Sequence, residues 1–187
     1  MKEKTMKVKI LLVTVLIGVL VSSHASAQSG LGLRGVGATV AFVNPEDLKS
    51  TAGFGVFADL GTITPSIGLQ ARVDYWSQSE DVTGVKSSVH DIIVGGRGKY
   101  MFELQNTSIR PFIGAGVSMH FLNAKVTDST NPSLNADDSQ TKVGLDLGGG
   151  ISTGLTERID FRTEAWYVVS DMNQFSLNMG LAMKLGS

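Results

Sequence analysis

Cysteine is absent from all 187 residues, which removes disulfides, thiolate metal sites, cysteine nucleophiles and a lipoprotein anchor in one stroke. Histidine is nearly absent: beyond residue 27 only His90 and His120 occur, too few for a transition-metal site. Proline is confined to Pro45, Pro65, Pro111 and Pro132, leaving long stretches free to pair as strands. Past the first two dozen residues no apolar run reaches the roughly 20 residues that a transmembrane helix needs. Low average hydropathy does not exclude a membrane barrel, which places its apolar residues at alternate positions.

What is present begins with a leader. Lys2, Lys4, Lys7 and Lys9 precede the apolar run 10–21, and Ala25-Ser26-Ala27 supplies the small residues after which a signal peptidase cuts. The run is short for a retained anchor, so residues 1–27 are expected to be a cleaved secretory signal and 28–187 one mature domain starting at Gln28. Loss of four lysines and Glu3 leaves 12 basic and 16 acidic side chains, which excludes a nucleic-acid binder.

The mature chain alternates. In segment 174–185, Phe175, Leu177, Met179, Leu181, Met183 and Leu185 share one face and Ser176, Asn178, Gly180, Ala182 and Lys184 the other, because a strand turns successive side chains to opposite sides. Similar segments lie near 31–42, 52–61, 65–77, 88–102, 109–123, 140–155 and 158–169, each long enough to cross a membrane as a tilted strand of about 9 to 11 residues. The even count of eight predicts an all-β fold, an antiparallel up-and-down transmembrane β-barrel with apolar residues toward lipid and polar ones toward a lumen.

Link lengths give an orientation. Links 43–51, 78–87 and 124–139 are long, and 170–173 is shorter; 62–64, 103–108 and 156–157 are the opposite set. Short turns belong on the periplasmic side, so both termini are expected there. Phe42, Phe54, Tyr75, Phe121, Tyr167 and Phe175 then fall near the outer rim on the lipid side, with Tyr100, Phe102 and Phe161 near the inner rim, as two aromatic girdles.

The segment Arg110-Pro111-Phe112-Ile113-Gly114-Ala115-Gly116-Val117 resembles the "R-P-Y-x-G-x-G" strand of small outer-membrane β-barrel proteins, the group of OmpA-like, OmpX-like and opacity-type surface proteins. Asn178, Gly180, Met183 and Leu185 resemble the terminal signal that the barrel-assembly machinery reads, although the chain ends Leu185-Gly186-Ser187 where the family commonly ends on an aromatic. The resemblance implies an outer-membrane location, contact with outer-membrane lipid and the assembly machinery as a partner. It does not choose an activity, since such barrels serve as anchors, adhesins, resistance factors and occasionally enzymes.

On the assigned faces Arg72, Arg97, Lys99, Arg110, Lys142, Arg162 and Lys184 point inward with Asp59, Asp74, Asp91, Asp146, Asp160 and Glu164. Eight strands enclose a space just wide enough for side chains to fill, so these groups are expected to pair and close the lumen; a narrow, porin-like channel is the alternative. Inward glycines at 114, 116, 144, 148 and 150 would make room for the long Arg and Lys chains, and Gly148-Gly149-Gly150 lacks the Lys-Ser/Thr of a phosphate loop.

The residues that could support catalysis are Ser118 and His120, two apart on one strand, with Asp91 of the neighbouring strand able to orient the imidazole. That face is lumenal, whereas the His-x-Ser of a lipid-A deacylase sits on the lipid side of a terminal strand, so these residues are expected to be polar filler. His90 is expected to be exposed. No enzyme and no cofactor are expected. The outer links are acidic, with Glu46, Asp47, Glu80, Asp81, Asp128, Asp137, Asp138 and Asp171 against Lys49, Lys86 and Lys125, and lack the regular spacing of a calcium loop. Link 126–139 reads as polar and flexible. Loops on a rigid scaffold commonly carry recognition, so an extracellular ligand, a phage or another envelope component is the expected partner. A soluble lipocalin-like barrel, apolar face inward, is the remaining rival; it would turn Arg72, Arg97, Arg110 and Arg162 out.

Overall fold

The computed structural model describes residues 30–82, 85–105, 107–128 and 135–185. The expected leader and the tip 129–134 of the longest link lie outside the described residues. Eight strands follow in chain order: β1 (Leu31–Pro45), β2 (Thr51–Thr64), β3 (Ile67–Val82), β4 (Val85–Met101), β5 (Ile109–Asp128), β6 (Ala136–Gly154), β7 (Ile159–Val169) and β8 (Gln174–Lys184). Each pairs antiparallel with the next, and β8 returns to β1 from Gly35↔Lys184 to Pro45↔Gln174, closing the barrel. Closure is what hydrocarbon demands: no water is there to satisfy an open edge, so every backbone N–H and C=O must find a partner within the ring.

The alternation is inverted relative to a water-soluble core. In β8, Gln174, Ser176, Asn178, Gly180 and Ala182 are buried while Phe175, Leu177, Met179, Leu181 and Met183 are exposed. Val40, Val56, Ile113, Val117, Val143 and Leu145 are likewise exposed on other strands. The apolar face therefore points outward, the reverse of a lipocalin. Val117 lies between the aromatics of the two rims, and an arginine there meets mid-membrane hydrocarbon. Val117→Arg is expected to cost about 2 to 4 kcal/mol in unfolding from lipid vesicles, against about nothing for Thr127→Arg beyond the apolar band. Equal effects at the two positions would be incompatible with a lipid belt at Val117.

Several strands outrun their expected limits. Links 78–87 and 124–139, read as loops, are largely paired: β3 and β4 continue to Val82↔Val85, and β5 and β6 to Val126↔Ala136. β2 reaches Thr64 and β1 reaches Pro45, whereas β3 starts at Ile67 because Pro65 and Ser66 form the turn. β4 stops at Met101, β6 at Gly154, and β7 starts at Ile159. The long extensions carry polar residues on both faces, such as Ser77, Ser79, Ser87 and Ser88, so no hydrophobic alternation announces them; ladder hydrogen bonds and a few polar side-chain contacts hold them.

The strand ends are uneven as a result. β2 pairs with β3 no further out than Gly53↔Trp76, and β7 with β6 no further than Leu145↔Val169. Beyond those points β3 to β6 continue as a four-stranded sheet, its β6 edge extending nine residues past Leu145, roughly 30 Å of strand.

Candidate functional site

The interior has two chemistries. At the end away from the termini, Val43, Trp76 and Ile93 form a buried apolar cluster, and Leu48 of the β1–β2 link and Met172 of the β7–β8 link pack onto it with Val89 and Leu122. This apolar plug is absent from the sequence reading. Its only signal is parity: Trp76 has the same in-facing register as Gln70, Arg72 and Asp74.

Below the plug the lumen is ionic. Asp146, fully buried on β6, accepts from Arg72 Nη2 at 2.7 Å and Arg97 Nε at 2.9 Å through one oxygen, and from Ser118 Oγ at 2.7 Å through the other. Arg72 also pairs with Asp74 on its own strand. Lys99 Nζ meets Glu164 Oε1 at 2.7 Å, and the Arg97 guanidinium stacks 3.7 Å from the centroid of Trp166, whose indole N–H donates to Glu164 Oε2 at 2.7 Å. Toward the termini Arg162 grips both oxygens of Asp59 at 3.1 and 2.6 Å, and Asp160 holds Arg110 at 2.7 Å and Lys184 at 2.9 Å. Lys142 is the exception among the inward charges: it reaches out to Asp171 at 3.8 Å, near the outer end. Removing two charges from water costs several kcal/mol each, so such groups persist only when paired and hydrogen-bonded, which is how these are held.

Three in-facing glycines make room for Trp166 as well as for cation stems. A Cβ on Gly114 or Gly148 would stand 2.8 or 2.7 Å from the Trp166 ring, and one on Gly116 would stand 2.8 Å from the Arg97 Cγ. The sequence reading assigned that space to Arg and Lys alone.

Ser118, His120 and Asp91 come together. His120 Nδ1 lies 2.7 Å from Asp91 Oδ2, and its Nε2 lies 3.1 Å from Ser118 Oγ. The arrangement has the order of a Ser-His-Asp triad, but the serine proton is engaged elsewhere. Ser118 has one proton and donates it to Asp146 at 2.7 Å, whose other oxygen is already claimed by two arginines. A nucleophilic serine must instead give that proton to Nε2 of the histidine. All three residues are at most 2% exposed.

On the outside, Phe54 and Tyr75 stack at 5.3 Å, and His90 follows at 6.5 Å from Tyr75 on the next strand; His90 is half-buried there. Tyr100 and Phe102 meet edge-to-face at 5.1 Å toward the opposite end. Phe42, Tyr167 and Phe175 are exposed and Phe121 and Phe161 half-buried on the outward face. Asn178 and Gly180 face the lumen, Met183 faces out, and Leu185 continues the pairing through its N–H to the Arg34 carbonyl at 2.7 Å. In the outer region Lys49 pairs with Glu80 at 2.8 Å, which raises the Lys49 ammonium above its ordinary range. Asp137 and Ser139 both accept from Asn123, at 3.0 and 2.7 Å. No cluster of metal-ligating side chains occurs among the described residues.

The profile of the outer membrane protein beta-barrel domain matches residues 12–184. The chain belongs to the outer-membrane β-barrel family. Among solved structures, this outer-membrane barrel is similar to Neisserial surface protein A at 20% identity, covering 81% of this chain and 96% of that one with a TM-score of 0.60. It is similar to Ail, the attachment invasion locus protein of Yersinia pestis, at 13% identity, covering 84% and 100% with a TM-score of 0.57; Ail is also solved in complex with the heparin analogue sucrose octasulfate. The outer membrane enzyme PagL is similar at 15% identity, covering 80% and 99% with a TM-score of 0.51. These likenesses are of fold. Among curated proteins no sequence matches this barrel.

Proposed function

We propose that this outer-membrane barrel is a non-catalytic surface protein of the adhesin type, recognising an extracellular partner through its projecting β3–β6 sheet and acidic outer links. In this reading residues 1–27 are removed on export, both termini lie in the periplasm, and the terminal strand is handed to the barrel-assembly machinery. The observation that carries the reading is the contrast between the two ends of the molecule. The lumen is filled by paired charges beneath an apolar plug, while a hydrogen-bonded sheet stands beyond the membrane with no internal role.

The filled lumen argues against the narrow channel. The direction of the Ser118 hydrogen bond and the burial of His120 argue against the enzyme reading, even with PagL among the similar folds. Ail binds a sulfated polyanion in one structure. The corresponding end here carries Glu46, Asp47, Asp137, Asp138 and Asp171, and Lys49 is already engaged by Glu80, so the partner is a neutral or basic surface rather than a sulfated one.

The test is display in a non-adherent bacterium. Cells carrying the protein should adhere to host-cell monolayers, adherence should vanish when 78–87 is replaced by a two-residue turn, and lipid A mass should stay unchanged with or without His120→Ala. A cysteine at Ser88 should react with an impermeant reagent on intact cells, and the purified protein should begin at Gln28. Adherence that survives loss of the hairpin, or lipid A that changes mass, refutes the proposal.

A further inference from the structure

The end of the barrel that holds both termini carries one row of three side chains on adjacent strands. Arg110 of β5 lies directly opposite Ser152 of β6, and Ser152 directly opposite Arg162 of β7. Ser152 is 7% exposed, and its hydroxyl oxygen is buried with no hydrogen-bond partner. A buried hydroxyl left unmatched costs on the order of 1 to 3 kcal/mol, so its place between two guanidiniums calls for an explanation.

All three residues line a cavity of about 180 Å³ that Arg34, Lys99, Met101 and Phe112 also line. Its electrostatics favour an anion. Four cations face it; three of them are paired, Arg162 with Asp59, Lys99 with Glu164 and Arg110 with an Asp160 that Lys184 shares, which leaves the mouth with a net positive charge. Both Asp59 oxygens are held by Arg162, which neutralises it. Arg110 spends only Nη2 on Asp160 and stays 46% exposed, leaving N–H groups to offer. Arg34 makes no ion pair among the described residues. Two residues further along the same strand and face as Arg110 the lining turns apolar, with Phe112, paired in register with Met101, buried under the Lys99 ammonium at 4.5 Å. A cavity of about 150 Å³ holds a benzene molecule, so this one accepts an apolar body of about six carbons.

We infer that this mouth binds a small amphiphilic anion, its carboxylate or phosphate received by Arg110 and the Ser152 hydroxyl and its hydrocarbon laid against Phe112 and Met101. The ligand completes the hydrogen bonding of Ser152 and occupies the N–H groups that Asp160 leaves free. The site is distinct from the outer sheet and stands whether or not that sheet binds a partner.

Methionine positions provide the readout. With ¹³C-methyl methionine in the full mature barrel in neutral detergent, hexanoate, hexyl phosphate and hexanol are titrated at fixed ionic strength. Met101 should shift saturably with the anions, while the lipid-facing Met119 and Met179 stay still. Arg110→Gln should weaken binding at least tenfold, and so should Ser152→Val, which removes the hydroxyl that receives the anion and puts a methyl in its place. Response to one anion alone names the headgroup and upholds the site. Equal shifts at Met101 and the lipid-facing methionines, hexanol binding as tightly as the anions, or wild-type affinity in both variants overturns it. Should Arg110→Gln fail to fold, judged by heat-dependent gel mobility, Ser152→Val decides.

Discussion

Replacing Asp146 with alanine is expected to destabilise the barrel by about 3 to 5 kcal/mol, the cost of leaving buried charges without their partner. Three donors converge on this carboxylate, and none is solvated: Arg72 is 8% and Arg97 4% exposed. Each arginine retains a second acid, Asp74 for Arg72 and Glu164, at 3.8 Å, for Arg97, which keeps the loss within that range. Asp146→Asn preserves the shape and one acceptor oxygen for the arginines, turns the other position into an N–H that Ser118 Oγ can accept, and removes the charge, so it should cost less. Urea unfolding from lipid vesicles, followed by tryptophan fluorescence, measures both. A loss under about 1 kcal/mol for the alanine variant would mean that water reaches these guanidiniums, and the sealed-lumen argument fails with it.

Trp166→Ala is the second large effect, about 3 to 5 kcal/mol by the usual cost of deleting a buried aromatic. The ring is completely buried, carries the Arg97 guanidinium on its face and anchors Glu164 through its N–H. Its loss leaves a void bordered by Gly114 and Gly148, which have no side chain to collapse into it. Trp166→Phe keeps much of the ring and loses the indole hydrogen bond, so it should cost roughly 1 to 2 kcal/mol, mostly from the unmatched Glu164 oxygen. A polar-walled void at mid-barrel also gives water a place to stand. The apolar plug of Val43, Trp76 and Ile93 still closes the lumen beyond it, so the loss is read in stability. An alanine variant with full stability is incompatible with Trp166 as the central packing element.

What could be read in advance follows from what the membrane enforces. Lipid requires an apolar residue at alternate positions, so β8, with Phe175 to Met183 alternating against Ser176 to Ala182, is legible from residue types alone. Beyond the lipid nothing enforces the period, and the far ends of β3 to β6, residues 78–82, 85–87, 124–128 and 136–139, look like loops in the sequence. Their Ser, Asp, Lys and Gln residues are satisfied on either face, and only the ladder decides. Which acid meets which base was illegible for a different reason. Arg72 and Asp146 are 74 positions apart and Asp59 and Arg162 103 apart; their encounter depends on the stagger of the closed ring, which no local pattern encodes. Trp166 shares the inward parity of Asp160, Arg162 and Glu164, so its face is legible; that it and Trp76 fill the lumen is not, because aromatics mark lipid faces in barrels.

Those sequence separations also say something about how the molecule is made. Arg162 of β7 and Asp59 of β2 meet only across a finished ring, as do Arg72 of β3 and Asp146 of β6. An open sheet entering the bilayer strand by strand would present these charges to hydrocarbon before their partners arrived. Contacts so distant in sequence are slow to form, since the entropy of closing the loop comes before any reward. Charges that pair only across the closed ring would make strand-by-strand insertion costly, and would favour a route on which β1 meets β8 before these groups leave water.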